Sequence, residues 1–124
     1  NFDSILFPFN WVTWYQGKFG PRVPDKAKEK GMGILALKAL AKRQWGENET
    51  RQWDKAWYSP VDTYEEALLG LRVTLSLGVT AAVSPGHAEF LWWACDAADQ
   101  FTPLSEAEMT EVARLGEGLA PIFP

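Results

Sequence analysis

The decapeptide Gly31-Met-Gly-Ile-Leu-Ala-Leu-Lys-Ala-Leu40 constrains the fold more than any other stretch of this chain. It opens on glycines, runs through consecutive apolar residues without polar alternation, and carries one charge, Lys38, near its end. A short apolar run of this kind suits a strand buried on both faces, and such strands occur mainly in parallel sheets covered by helices. Strand–helix–strand repeats are therefore expected on either side. A cation at the carboxyl end of such a strand stands where α/β folds place their chemistry.

The flanking sequence follows that rule. Residues 3–10 read as a first strand, with Pro8 weakening its pairing. Residues 11–20 read as a loop that ends at Gly20-Pro21. Residues 24–30 read as a short charged helix that starts at Pro24 and ends at Gly31. The central strand covers roughly 33–38. Residues 41–61 form a long connection whose tryptophans argue against simple disorder. Asp62 and Glu65 resemble a capping box for a helix bearing Leu68, Leu71 and Leu75, which Gly78 stops. Residues 79–83 read as a third strand, followed by a helix to about residue 100 with Phe90, Leu91, Ala94, Cys95 and Ala98 at core spacing. Trp92 and Trp93 are expected to pack. Ser105 and Glu108 form a capping box for a last helix with Met109, Val112 and Leu115 inward.

The expected fold is α/β, with about three parallel strands alternating with helices plus a C-terminal helix, in one segment spanning 1–124. Three parallel strands leave two open edges, so the chain is expected to need further sequence or another copy of itself to cover them. The start at Asn1, almost directly in a strand and without methionine, suggests a piece of something longer. Net charge is −4, which gives no basic footprint for nucleic acid or an anionic membrane. No apolar run approaches the roughly 20 residues that cross a bilayer. The lone Cys95 excludes an internal disulfide and favours a reducing, cytoplasmic setting. The acidic residues show no metal spacing.

Three segments and a tail, in order, resemble the aldo/keto reductase family. Asp3-Ser-Ile-Leu-Phe-Pro-Phe-Asn10 is similar to that family's sixth strand, written D-x-I-Q-x-P-Y-N. Lys30-Gly-Met-Gly-Ile-Leu-Ala-Leu-Lys-Ala-Leu40 is similar to its seventh strand. Leu75-Ser-Leu-Gly-Val-Thr-Ala-Ala-Val-Ser-Pro-Gly86 is similar to the eighth, L-S-x-x-x-V-T-x-x-I-P-G. Pro103-Leu-Ser-Glu-Ala-Glu-Met109 resembles the late P-L-[ST]-x-x-E segment.

The resemblance implies strands six to eight of a (β/α)8 TIM-barrel, hence a partial barrel. It implies a parent enzyme that reduces a small carbonyl substrate with NADP or NAD. The family's catalytic Asp, Tyr, Lys and His lie on earlier strands, so the chain alone is expected to be inactive. Asn10, Lys38, Ser84, Gly86 and His87 would line the cofactor side, and Trp11, Trp14, Trp45 and Trp53 the substrate rim. The sequence departs from the family at Leu6, where a glutamine usually holds the nicotinamide amide, and at Leu37, where an aromatic ring often stands. The segment after Ser84-Pro85-Gly86 lacks the usual Arg or Lys, leaving His87.

Two other classes fit the same residues. One is a non-catalytic partial barrel that acts by self-association or binding. The other is a carbohydrate-binding module that uses the aromatic rim. For the single residues, plainer roles stand beside these: a snorkelling Lys38, a loop-capping Asn10 and a simple strand-to-helix turn at Ser84.

Overall fold

Main-chain pairing in the computed structural model, which describes residues 2–18 and 20–124, is built around the central strand. Strand β2 (Gly33–Leu37) lies between β1 (Ser4–Pro8) and β5 (Ala81–Ala82), parallel to both. Five residue pairs join β1 to β2, from Ser4↔Gly33 to Pro8↔Leu37. Two join β2 to β5, Leu35↔Ala81 and Ala36↔Ala82. The ladder runs one step further at each neighbour, where Phe9 N donates to Leu37 O at 2.8 Å and Val83 N to Ala36 O at 2.8 Å.

Helix α2 (Arg22–Glu29) connects β1 to β2, and α3 (Tyr64–Ser76) precedes β5. Alternation along a strand sends Ile5, Phe7, Ile34, Ala36 and Ala82 to one face. On that face Ile5, Phe7, Ile34 and Ala36 pack with Ala27 of α2 and with Leu77, while Ala82 packs with Leu71 of α3. Both crossover helices therefore cover the same side. The other face carries Leu6, Leu35, Leu37, Ala81 and Val83, none of which joins a core cluster. Leu6 is 59% exposed and Val83 44%. The sheet has one covered apolar face and one open apolar face. Among the described residues the strands form no closed barrel.

Glycine makes two junctions possible. Gly31 and Gly78 adopt φ of +68° and +73°, the left-handed conformation that ends α2 and α3 without a Cβ clash. At Gly70 the reason is space: a Cβ there would stand 2.8 Å from the carbonyl oxygen of Ala39, so the helix can ride directly over the end of β2.

Several sequence expectations are corrected. Residues 11–20 are not wholly a loop, because α1 (Trp11–Gln16) starts immediately after β1; Phe19, in the same stretch, and Asn1 lie outside the described residues. The first residue of α2 is Arg22 rather than Pro24. The cap of α3 is Thr63, whose hydroxyl accepts from Glu66 N at 3.2 Å, and Glu66 in turn accepts from Asp62 N at 2.9 Å. The box expected at Asp62 and Glu65 is thus displaced by one residue. The 41–61 connection has its own ladder, β3 (Ala41–Arg43) antiparallel to β4 (Ser59–Pro60), and buries Tyr58 with Ala41, Ala56 and Ile122.

Helix α4 (Ala88–Asp99) packs through Phe90 and Ala97, with Trp93 against them. Cys95 and Leu91 are exposed rather than core, and Trp92 is 66% exposed. Helix α5 (Glu106–Leu115) has the expected Ser105–Glu108 capping box and buries Val112, but Leu115 faces out. No helix among the described residues is long and apolar enough to cross a membrane.

Candidate functional site at the carboxyl end of the sheet

The three parallel strands end together, at Phe9-Asn10, at Lys38 and at Ser84. Each end takes a different course. After β1 the chain turns into α1 at once, and Asn10 makes that possible. Its Oδ1 accepts from Val12 N at 3.1 Å and Thr13 N at 3.0 Å, capping the helix, while Nδ2 donates to Ala41 O across the connection. The residue is 2% exposed. Its amide is occupied inside the fold and presents nothing to a ligand.

Lys38 has a φ of +71°, left-handed backbone that costs a residue with a Cβ about 1–2 kcal/mol. The turn it makes is closed by Ala41 N donating to Lys38 O at 3.0 Å and throws the chain into β3. The side chain lies on an aromatic wall, with Nζ 5.4 Å from the Trp57 ring centre and 4.7 Å from that of Tyr58. Partial desolvation lowers its pKa from the usual lysine value. Ring faces attract an ammonium but take none of its hydrogen-bond donors. Among the described residues no carboxylate pairs with it. Lys38 is thus an unpaired cation beside a flat apolar wall.

At the third strand end, Ser84-Pro85-Gly86 leads to His87, the first cap residue of α4. His87 Nε2 accepts from Lys55 N at 3.3 Å and stands 3.7 Å from Asp54 Oδ1. Its ring meets Trp53 edge-on at 5.1 Å and Phe90 at 6.0 Å. A neutral imidazole that accepts at Nε2 carries its proton on Nδ1. The 41–61 connection therefore reaches both strand ends, through Trp57 and Tyr58 at Lys38 and through Trp53 to Lys55 at His87.

No family model matches the chain, nor does any curated protein or any solved structure.

The tryptophans expected on the rim divide. Trp11 is buried with Val12, Val73 and Val112, and Trp14 stacks on Phe9 at 5.6 Å, so both serve the core. Trp53 stands at His87, and Trp45 is tied back by Nε1 donating to Ala56 O at 3.0 Å. The pairing of Lys38 with Trp57 and Tyr58 is not predicted by the sequence. The signal for it was a lysine in a turn facing an aromatic pair some twenty positions later, which no short motif encodes. Among the described residues no group of three or more His, Cys, Asp or Glu side chains stands together to hold a metal.

The connection is itself clamped. Arg43 donates from Nη1 and Nη2 to the two oxygens of Glu49 at 2.8 Å each, and Gly46 N donates to Glu49 Oε2 at 2.8 Å. The Arg43 contact first, and the Gly46 amide second, hold the Glu49 carboxyl down from 4.5 to about 2. A carboxylate with a depressed folded-state pKa stabilises above its unfolded value and loses that contribution as pH falls through the folded one. The clamp should therefore hold above about pH 4.5 and open progressively towards pH 2. The Gly46 amide proton shift should follow that titration, and Glu49→Gln should flatten it. A Gly46 signal that titrates near 4.5 would show that the clamp does not form.

Proposed function

We propose that this chain is a three-strand sector of an aldo/keto reductase-like (β/α)8 barrel, whose parent reduces carbonyl compounds with NADP or NAD. The observation that carries the reading is the sheet. Its strands follow one another in sequence order, both crossover helices cover the same face, and the opposite face is apolar and open. Right-handed crossovers between successive neighbouring strands put every helix on one side, and repetition of that unit curls a sheet into a barrel. The open face then corresponds to the barrel interior, which side chains from all eight strands fill.

The residues at the strand ends fit part of a dinucleotide. Lys38 is a cation without a carboxylate partner, suited to a phosphate or carboxylate, and Trp57 beside it offers a flat surface. Ser84, Gly86 and His87 lead into a helix start, where backbone N–H groups favour an anion. Leu6 does not fit the nicotinamide amide, because leucine has no hydrogen-bonding group, and the Asn10 amide is already occupied. The bound cofactor would supply the hydride. The residues of this chain would hold its anionic groups and bound the cleft. Proton transfer to the carbonyl oxygen needs a donor of tuned pKa beside it, and by the resemblance that group belongs to the five preceding strands. Alone, the chain should bind without turning over, in a reducing cytoplasm that suits an exposed Cys95.

The test is a titration of the 124-residue chain with NADPH and NADH, read by tryptophan fluorescence, alongside an aldehyde-dependent oxidation assay. Quenching that Lys38→Ala weakens by tenfold or more, with no oxidation, is expected. No response to either nucleotide up to millimolar concentration overturns the cofactor reading. Turnover that disappears in Lys38→Ala overturns the assignment of the acid–base group elsewhere. Quenching by a sugar panel but not by nucleotides would instead mark a carbohydrate-binding module.

A further inference from the structure

Lys38 holds a backbone conformation that its own side chain disfavours. A glycine or an asparagine would make the turn after β2, at φ +71°, with less strain. Strain of this kind persists only where the surrounding structure imposes it, and it concentrates at ligand sites. The neighbouring cations are in a different state. Lys42 pairs with Glu66, and Arg43 pairs with Glu49 at 2.8 Å. Lys38 has no carboxylate partner among the described residues and is only partly buried, so its ammonium can meet an acceptor from outside.

The wall beside it is held in place and still open. Tyr58 is buried with Ala41, Ala56 and Ile122. Trp57 meets Tyr58 edge-on, with ring centres 5.3 Å apart and planes at 89°. It meets Phe123 at 5.7 Å and 66°. These contacts restrain the plane of the indole, yet Trp57 remains 51% exposed. A ring fixed in this way loses little side-chain freedom when another ring stacks on it. A positive charge and a flat apolar surface thus stand side by side, with Nζ 5.4 Å from the Trp57 ring centre.

We propose that this corner binds planar aromatic carboxylates, with the ring on the exposed part of Trp57 and the carboxylate accepting from Lys38 Nζ. Other chemistries satisfy only half of it. A neutral sugar stacks on an indole but leaves the ammonium unpaired, and an aliphatic carboxylate pairs with the ammonium but does not cover the indole. An aromatic cation stacks but is repelled by Lys38. The inference goes beyond the reductase reading, because this contact needs neither a nucleotide nor any further strand.

The test is a titration of the 124-residue chain with 2-naphthoate, 2-naphthamide and cyclohexanecarboxylate, read from the indole signals by nuclear magnetic resonance. Naphthoate should bind about tenfold more tightly than either of the others, since each of those lacks one of the two contacts. Lys38→Met, which keeps the stem and removes the charge, should bring naphthoate down to the level of naphthamide. Trp57→Leu should bring it down to that of cyclohexanecarboxylate. In Lys38→Gly, binding should be lost while the melting temperature holds or rises, because relief of strain offsets the contacts removed. A lysine with a structural role alone would show the reverse, a lower melting temperature with affinity unchanged, and that result overturns the proposal. Equal affinity for naphthoate and naphthamide also overturns it, as does naphthoate binding that Lys38→Met leaves unchanged or no binding up to about 10 mM. Naphthoate binding without any response to NADPH supports this site and sets the reductase reading aside. A response to NADPH without naphthoate binding does the opposite.

Discussion

Asn10→Ala should lower stability by about 2–4 kcal/mol, a large effect for one buried amide. Losing a helix cap costs about 1 kcal/mol. Here the same change also strands the carbonyl of Ala41, which accepts from Asn10 Nδ2, and an unsatisfied buried acceptor costs about 1–3 kcal/mol more. In thermal unfolding this is a fall of roughly 8–15 °C for a chain of this size. Asn10→Asp separates the contributions. It keeps the oxygen that caps Val12 and Thr13 but replaces the donor with a second oxygen facing Ala41 O. If the cap were all that mattered, Asn10→Asp would melt like wild type; it should instead lose about 1–2 kcal/mol. An alanine variant within about 0.5 kcal/mol of wild type would refute the junction role.

Phe90→Ala should cost more, about 3–5 kcal/mol, the range for emptying a fully buried aromatic site. Phe90 is 0% exposed and holds the first turn of α4 against the core. Its ring centre is 4.6 Å from that of Trp53 and 5.6 Å from that of Trp93. The cavity would open under His87, so the loss should reach the strand-end site as well as the core. A urea series should show a lower midpoint with an unchanged slope. Leu91→Ala, one position along and exposed, should move the midpoint by less than about 1 kcal/mol and serves as the control. Equal effects at both positions would mean that α4 is rotated from the packing described.

These two residues also show where sequence reading succeeds and stops. Strands β1 and β2, the glycine stops at Gly31 and Gly78, and the Ser105–Glu108 box were legible because each is decided by neighbours a few residues away. Helix α1 was not, because it is six residues long and depends on Asn10, whose other partner, Ala41, is 31 positions distant. The 41–61 connection hid its ladder for the same reason: Tyr58 is buried in a cluster that includes Ala41 and Ile122, the latter from the far end of the chain. In α4, periodicity put Phe90, Leu91, Ala94, Cys95 and Ala98 at core spacing, and tertiary packing kept Phe90, added Trp93 and Ala97, and left Leu91 and Cys95 exposed. At the site, the sequence singled out Lys38 but not its aromatic wall, and left Asn10 between a ligand contact and a loop cap, of which the fold uses the cap.

The uneven ladder has a consequence for how the molecule opens. Strand β2 holds β1 by five residue pairs but β5 by two, and β5 must close a longer stretch of chain to reach it. Closure entropy grows with that length, and local opening follows the fewest bonds. The Ser84–His87 segment follows β5 directly, whereas α4 is held separately through Phe90 and Ala97 in the core. In hydrogen exchange β5 and the Ser84–His87 segment should lose protection together, ahead of the β1–β2 pair and of α4, so the strand-end site would come apart from one side while Lys38 stays in place.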